Sequence, residues 1–142
     1  MAKKKLSAGA WIACIAAALA IVGLIAYLIN TGTDYYAKMG VDTVVVVCLI
    51  AAAALSLLRL FFGRDGKPAW TDLIPVCAAA LAAVALMYLL NARINNLAAV
   101  FTYENNPANM ADTTSCIVAI GACLLAVIAA VISAFHDTVS EA

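Results

Sequence analysis

Apolar residues run along this chain in four long blocks, and charged residues stand only between them. No Asp, Glu, Lys or Arg occurs between Lys5 and Asp34, between Asp42 and Arg59, between Asp72 and Arg93, or between Asp112 and Asp137. A helix needs about 20 apolar residues to cross roughly 30 Å of hydrocarbon. The pattern predicts spans near 10–29, 44–62, 73–90 and 116–135. The second requires Arg59 to snorkel, its stem in lipid and its guanidinium among headgroups. The blocks do not alternate apolar with polar residues, as barrel strands do. The expected fold is therefore all-α: a polytopic integral membrane protein forming a four-helix transmembrane bundle in a single domain.

Composition agrees. The chain has 142 residues, of which 67% are hydrophobic and 11% charged. Soluble domains are nearer half apolar and about a quarter charged. The zero net charge and the lack of a basic face exclude nucleic acid as a partner. The first block is longer than a signal-peptide core and ends without a small-x-small cleavage site, so it is read as a retained helix.

Basic residues fix an orientation. Lys3, Lys4, Lys5, Arg59, Arg64 and Lys67 share one side of a four-span protein, with Lys38 and Arg93 on the other. The positive-inside rule puts the larger group, and with it both termini, in the cytoplasm of a cell with an inner membrane. Asn30–Thr43 and Asn91–Thr114 then lie outside. Trp11 and Trp70 mark the inner boundary, and Tyr27 and Tyr88 the outer one. Ser7 and Thr71 or Asp72 are candidate caps for the first and third helices. Asp42-Thr43 and Asp112-Thr113 are candidates for the second and fourth. The Gly63–Pro68 run reads as a tight inner hairpin.

The halves resemble each other. Tyr27-Leu28-Ile29-Asn30 matches Tyr88-Leu89-Leu90-Asn91, and Met39…Asp42-Thr43 matches Met110…Asp112-Thr113. Two readings stand: a duplicated helical hairpin giving parallel repeats, or boundary motifs that recur wherever helices enter a bilayer.

Candidate chemistry is sparse. Cys14, Cys48, Cys77, Cys116 and Cys123 form no CxxC pair and read as small packing residues. His136, alone of its kind, sits at a helix end. No metal site and no cofactor site emerges. No carboxylate lies within a span, which argues against a proton-coupled pump. Ala122, Ala126, Ala130 and Ala134 form a ladder at helical spacing, with Gly9, Ala13 and Ala17 and Ala78 and Ala82 as shorter ones. Such faces let helix backbones approach closely, either within the bundle or between subunits. On the outer side Asp34, Tyr35, Tyr36, Asp42, Phe101, Tyr103, Glu104 and Asp112 combine acidic with aromatic groups. They are candidates for binding a ligand or a partner, since carboxylates and ring faces both attract cations. The second outer loop, over 20 residues long, is expected to open with a short interfacial helix carrying Ile94, Leu97, Ala98 and Phe101.

These features point to a non-enzymatic multi-pass membrane protein, a subunit of a homo-oligomer or of a larger membrane complex. Its expected partners are the lipid bilayer and itself or another membrane protein. The alternative is a small transporter or channel for an uncharged or weakly cationic solute, with a polar cavity near Asn30, Tyr27, Tyr88 and Asn91.

Overall fold

The computed structural model describes residues 8–62 and 73–135. Its helices are α1 (Ala8–Thr31), α2 (Thr43–Phe62), α3 (Leu73–Thr102) and α4 (Pro107–Ala134), with a short 3-10 turn at Ala37–Met39 between α1 and α2. Each helix packs on its neighbours in chain order, and α4 closes the ring against α1 in the most extensive contact. The α1–α4 pair is antiparallel. Ser133 Oγ reaches the carbonyl of Gly9 at one end (3.4 Å), and Asn30 Nδ2 donates to Ser115 Oγ at the other (3.2 Å). The latter end, which also holds the 103–106 connection, is called the loop end below.

The interior is built from small residues. Along α1, Gly9, Ala10, Ala13, Ala16, Ala17, Ala20, Gly23 and Ala26 are buried at steps of three and four, one inward stripe of a helix. Ala119, Ala122, Cys123, Ala126, Ala129 and Ala130 answer them from α4. At Gly23 the fit is closest: a Cβ added there would stand 3.0 Å from Cys123 Sγ and 3.6 Å from Ala122 Cβ. On α1 and α4 the large aliphatic side chains point away from this interior, while α2 and α3 contribute Val45, Leu49, Leu89 and Val100 to it. Ile15, Ile21, Val22 and Ile25 on α1, and Ile117, Leu124, Leu125 and Ile128 on α4, are all exposed. A water-soluble bundle places such residues inside; here the arrangement is inverted.

Three helices, α1, α3 and α4, are long and apolar enough to cross a membrane. The fourth, α2, is shorter, with an apolar stretch over Thr43–Leu58. The chain is thus an all-α four-helix bundle with the composition of a multi-pass membrane protein.

The connection between the third and fourth helices is shorter than expected. Asn91–Thr102 continues α3 without a break, and α4 begins at Pro107, leaving a connection of Tyr103–Asn106. Polar residues do not end a helix when one of its faces stays buried. Leu89, Arg93, Leu97 and Val100 all point inward and carry the stripe of α3 onward. Asp112-Thr113 therefore lies within α4 and does not cap it. Asn106 is the cap, accepting the backbone N–H of Asn109 at 2.8 Å, with Pro107 in the first turn. Asp42 does cap α2, its Oδ1 accepting the N–H of Val44 at 2.9 Å. Ser7, Thr71, Asp72, the Gly63–Pro68 hairpin, the basic residues Lys3–Lys5, Arg64 and Lys67, Trp70, and His136 lie outside the described residues, as does the side chain of Arg59.

Candidate functional site

Polar chemistry collects at the loop end. Its centre is Arg93, which the extension of α3 carries into the bundle, where it is 1% exposed. Its Nε donates to Asn30 Oδ1 on α1 at 3.1 Å. Asn30, itself fully buried, donates from Nδ2 to Ser115 Oγ and to the Asp112 carbonyl on α4. The guanidinium carbon lies 5.7 Å from the ring centroid of Tyr27 and 5.4 Å from that of Tyr36. Each such approach offsets roughly 0.5–2 kcal/mol of the cost of taking the cation out of water.

The aromatic partners are fixed in turn. Tyr36 packs against Leu97 of α3 and Cys116 of α4, and its hydroxyl lies 3.0 Å from Thr113 Oγ1. The Tyr27 hydroxyl accepts the backbone N–H of Asp42 at 2.7 Å. One cation thereby ties α1, the turn after it, α3 and α4 together.

A second cluster sits beside this one. Tyr35 donates its hydroxyl to Glu104, and its backbone N–H donates to Asp112 Oδ2 at 3.1 Å. The rings of Tyr35 and Tyr36 meet edge to face, centroids 4.9 Å apart. Hydrogen bonding to the Glu104 carboxylate, aided by burial, pushes the Tyr35 phenol up to about 12. Burial also raises Tyr36, with its bond to Thr113 and the charge of Arg93 acting the other way.

Two cavities open at this end. One, of about 370 Å³, is lined by Tyr27, Gly40, Val41, Asp42, Ala92 and Arg93. The other, of about 390 Å³, is bordered by Asp34, Tyr35, Lys38, Asn109 and Asp112.

The residues singled out from the sequence divide between these places. Tyr35, Tyr36, Glu104 and Asp112 converge, with Asp34 exposed at their edge. Asp42 lies apart, beside Tyr27. Phe101 and Tyr103 stand exposed on and just beyond the end of α3. Ala122, Ala126 and Ala130 are buried within the bundle, and Ala134 is half-buried. The polar cavity expected near Asn30, Tyr27, Tyr88 and Asn91 forms around Tyr27 alone of these. Asn30 is buried in the hydrogen-bond network, and Tyr88 and Asn91 border a separate groove with Met87. The two similar tetrads thus occupy unlike surroundings: Tyr27 and Asn30 are buried, Tyr88 and Asn91 exposed.

Of the residues that build this centre, only Ser115 was not singled out from the sequence; Arg93 was counted for orientation alone, Thr113 as a cap, and Tyr27 and Asn30 as a boundary motif and cavity lining, with no link among them. One signal was present: Arg93 is the last Lys or Arg of the chain and stands alone after Lys67. All five cysteines are free thiols, and no cluster of metal-ligating side chains occurs among the described residues. The chain matches no protein-family model, no curated protein and no solved structure.

Proposed function

We propose that this chain is a non-enzymatic multi-pass protein of a cell membrane, a subunit of a homo-oligomer or larger membrane complex, with its loop end outside and its termini in the cytoplasm. The inverted packing of α1 and α4 carries the reading: on these helices small residues, mostly alanine, face the interior while isoleucine, leucine and valine cover the outside. An apolar exterior is stable against lipid or against another apolar helix, and not against water.

The ladder of Ala122, Ala126 and Ala130 is occupied within the bundle, so contact with a partner falls to other surfaces. The tip of the α3–α4 hairpin is the best of them. Phe101 and Tyr103 are exposed there, 52% and 81%, and aromatic residues are enriched at protein interfaces. Gentle crosslinking in native membranes, followed by mass determination in mild detergent, tests the reading. The expected result is an assembly larger than one chain whose recovery falls about tenfold in the double variant Phe101→Ala/Tyr103→Ala, as for a lost aromatic hot spot. A strict monomer with no crosslinked partner would sink it.

The transporter reading is weaker. Arg93 lines the cavity beside Tyr27, and its charge repels a cationic solute. Below it, the α1–α4 seam is tight at Gly23 and Cys123.

A further inference from the structure

The cavity beside Tyr35 brings charges of both signs together without pairing them. It holds about 390 Å³ and is bordered by Asp34, Tyr35, Lys38, Ala108, Asn109 and Asp112. Small-molecule sites occupy roughly 300–1,000 Å³. Asp34 and Lys38 are exposed, and Tyr35 and Asp112 are half-buried, so water and solutes reach all four.

Among the described residues the side chains of Asp34 and Lys38 make no hydrogen bond and no ion pair. Asp112 is fixed from two sides. Its Oδ2 accepts the backbone N–H of Tyr35 at 3.1 Å, and its carbonyl accepts the amide of Asn30 at 3.4 Å. Its Oδ1 has no partner among the described residues. Charged groups that border one cavity and leave each other free can each take a group of an occupant.

The charges define that occupant. Two carboxylates and one ammonium border the cavity. Ala108 and Asn109 bring in the first turn of α4, the positive end of a 28-residue helix. The complement is a small molecule with two cationic groups and one anionic group, the composition of a basic α-amino acid. Its carboxylate would go to Lys38 and the start of α4. Its α-ammonium then meets Asp112, one turn along α4 from Asn109, and its side-chain cation meets Asp34. The Tyr35 ring, held through its hydroxyl by Glu104, adds an aromatic face for a cation. A diamine would leave Lys38 unanswered, and an acidic amino acid would bring like charge to Asp34 and Asp112.

We infer that this cavity binds a free basic amino acid such as L-lysine, its carboxylate at Lys38 and its two ammonium groups at Asp112 and Asp34. The site needs only the loop end, and neither a bilayer nor a protein partner.

Equilibrium dialysis of the full chain in mild detergent against radiolabelled L-lysine tests the site. Binding should saturate at one molecule per chain. Norleucine, which lacks the terminal ammonium, and cadaverine, which lacks the carboxylate, should each compete about fivefold less well, roughly the most that one exposed ion pair supplies. Glutamate should not compete. Lys38→Gln should weaken L-lysine about fivefold and leave cadaverine no weaker. Asp34→Asn should weaken L-lysine about fivefold and leave norleucine unchanged. Both replaced side chains are exposed and without partners, so the fold does not depend on them. Asp112→Asn, which keeps an acceptor for Tyr35, should weaken all three ligands. Absence of saturable binding by the native chain overturns the site. Equal weakening of L-lysine and cadaverine by Lys38→Gln, or L-lysine binding unchanged in both Lys38→Gln and Asp34→Asn, reduces the effect to general surface charge and overturns it equally.

Discussion

At the scale of single residues, the loop end is held by bonds whose strength depends on which partner carries a proton. Tyr35 is the clearest case. Its hydrogen bond to Glu104 favours the neutral phenol, so its folded value of about 12 stands above the ordinary 10. A raised acid contributes stability that is complete below pH 10 and is lost as pH climbs toward 12. Tyrosinate absorbance of the protein in detergent should therefore show a late-titrating fraction that Tyr35→Phe removes. Thermal stability of the native protein should fall across that window, and that of Tyr35→Phe should fall less, with only the raised Tyr36 remaining. An unchanged titration in the variant would refute the assignment. Arg93 shows why this site was only partly legible. Its charge is visible in the sequence, and charge alone assigns it to an outer loop. Its burial depends on Asn30, Tyr36 and Ser115 arriving from three other segments. Asn30 and Tyr27 were visible as a boundary motif, yet the same motif at Tyr88–Asn91 lies exposed.

At the scale of elements, the apolar blocks placed four helices correctly and misjudged the ends of two. Spans are read from where charge is absent, whereas a helix ends where its backbone finds a cap. The Asn106-Pro107 pair is a start signal for α4, and it stands nine residues before the first residue of the predicted span. Within the helices, small residues set the spacing, and Gly23 sets it most tightly. Gly23→Ala brings a methyl group to 3.0 Å from Cys123 Sγ and 3.5 Å from the Cys123 backbone nitrogen. Overpacking of this kind costs about 1–3 kcal/mol, against up to about 1 kcal/mol gained in helix propensity. A net loss of about 1 kcal/mol is expected in thermal or denaturant melts in detergent. Cys123→Ala, introduced into Gly23→Ala, should recover most of it. A double-mutant cycle with coupling near zero would show that α1 and α4 do not meet there.

At the scale of the whole molecule, the distribution of large and small side chains separates two environments that the fold alone does not. A four-helix ring can stand in water or in lipid. In water, replacing a half-exposed Ile by Lys changes stability by about 0.5 kcal/mol or less. In lipid, a lysine near the middle of a span costs about 2.5–3.5 kcal/mol of insertion free energy. Ile21 is 44% exposed and lies near the midpoint of α1. Ile21→Lys should therefore reduce membrane insertion of α1 by roughly 70-fold or more, since each 1.4 kcal/mol is about tenfold. Ile21→Leu should insert like the native helix. The same Lys placed at Asn95, exposed on α3 beyond Arg93, should have little effect, because that turn lies past the hydrocarbon. Insertion into microsomes, scored by modification of tags on either side of each helix, reads all three. Equal insertion of Ile21→Lys and the native chain would mean that the exposed aliphatic surface of α1 faces neither lipid nor a hydrophobic neighbour. Failure of the native chain and of Ile21→Leu to insert would overturn the bilayer reading itself.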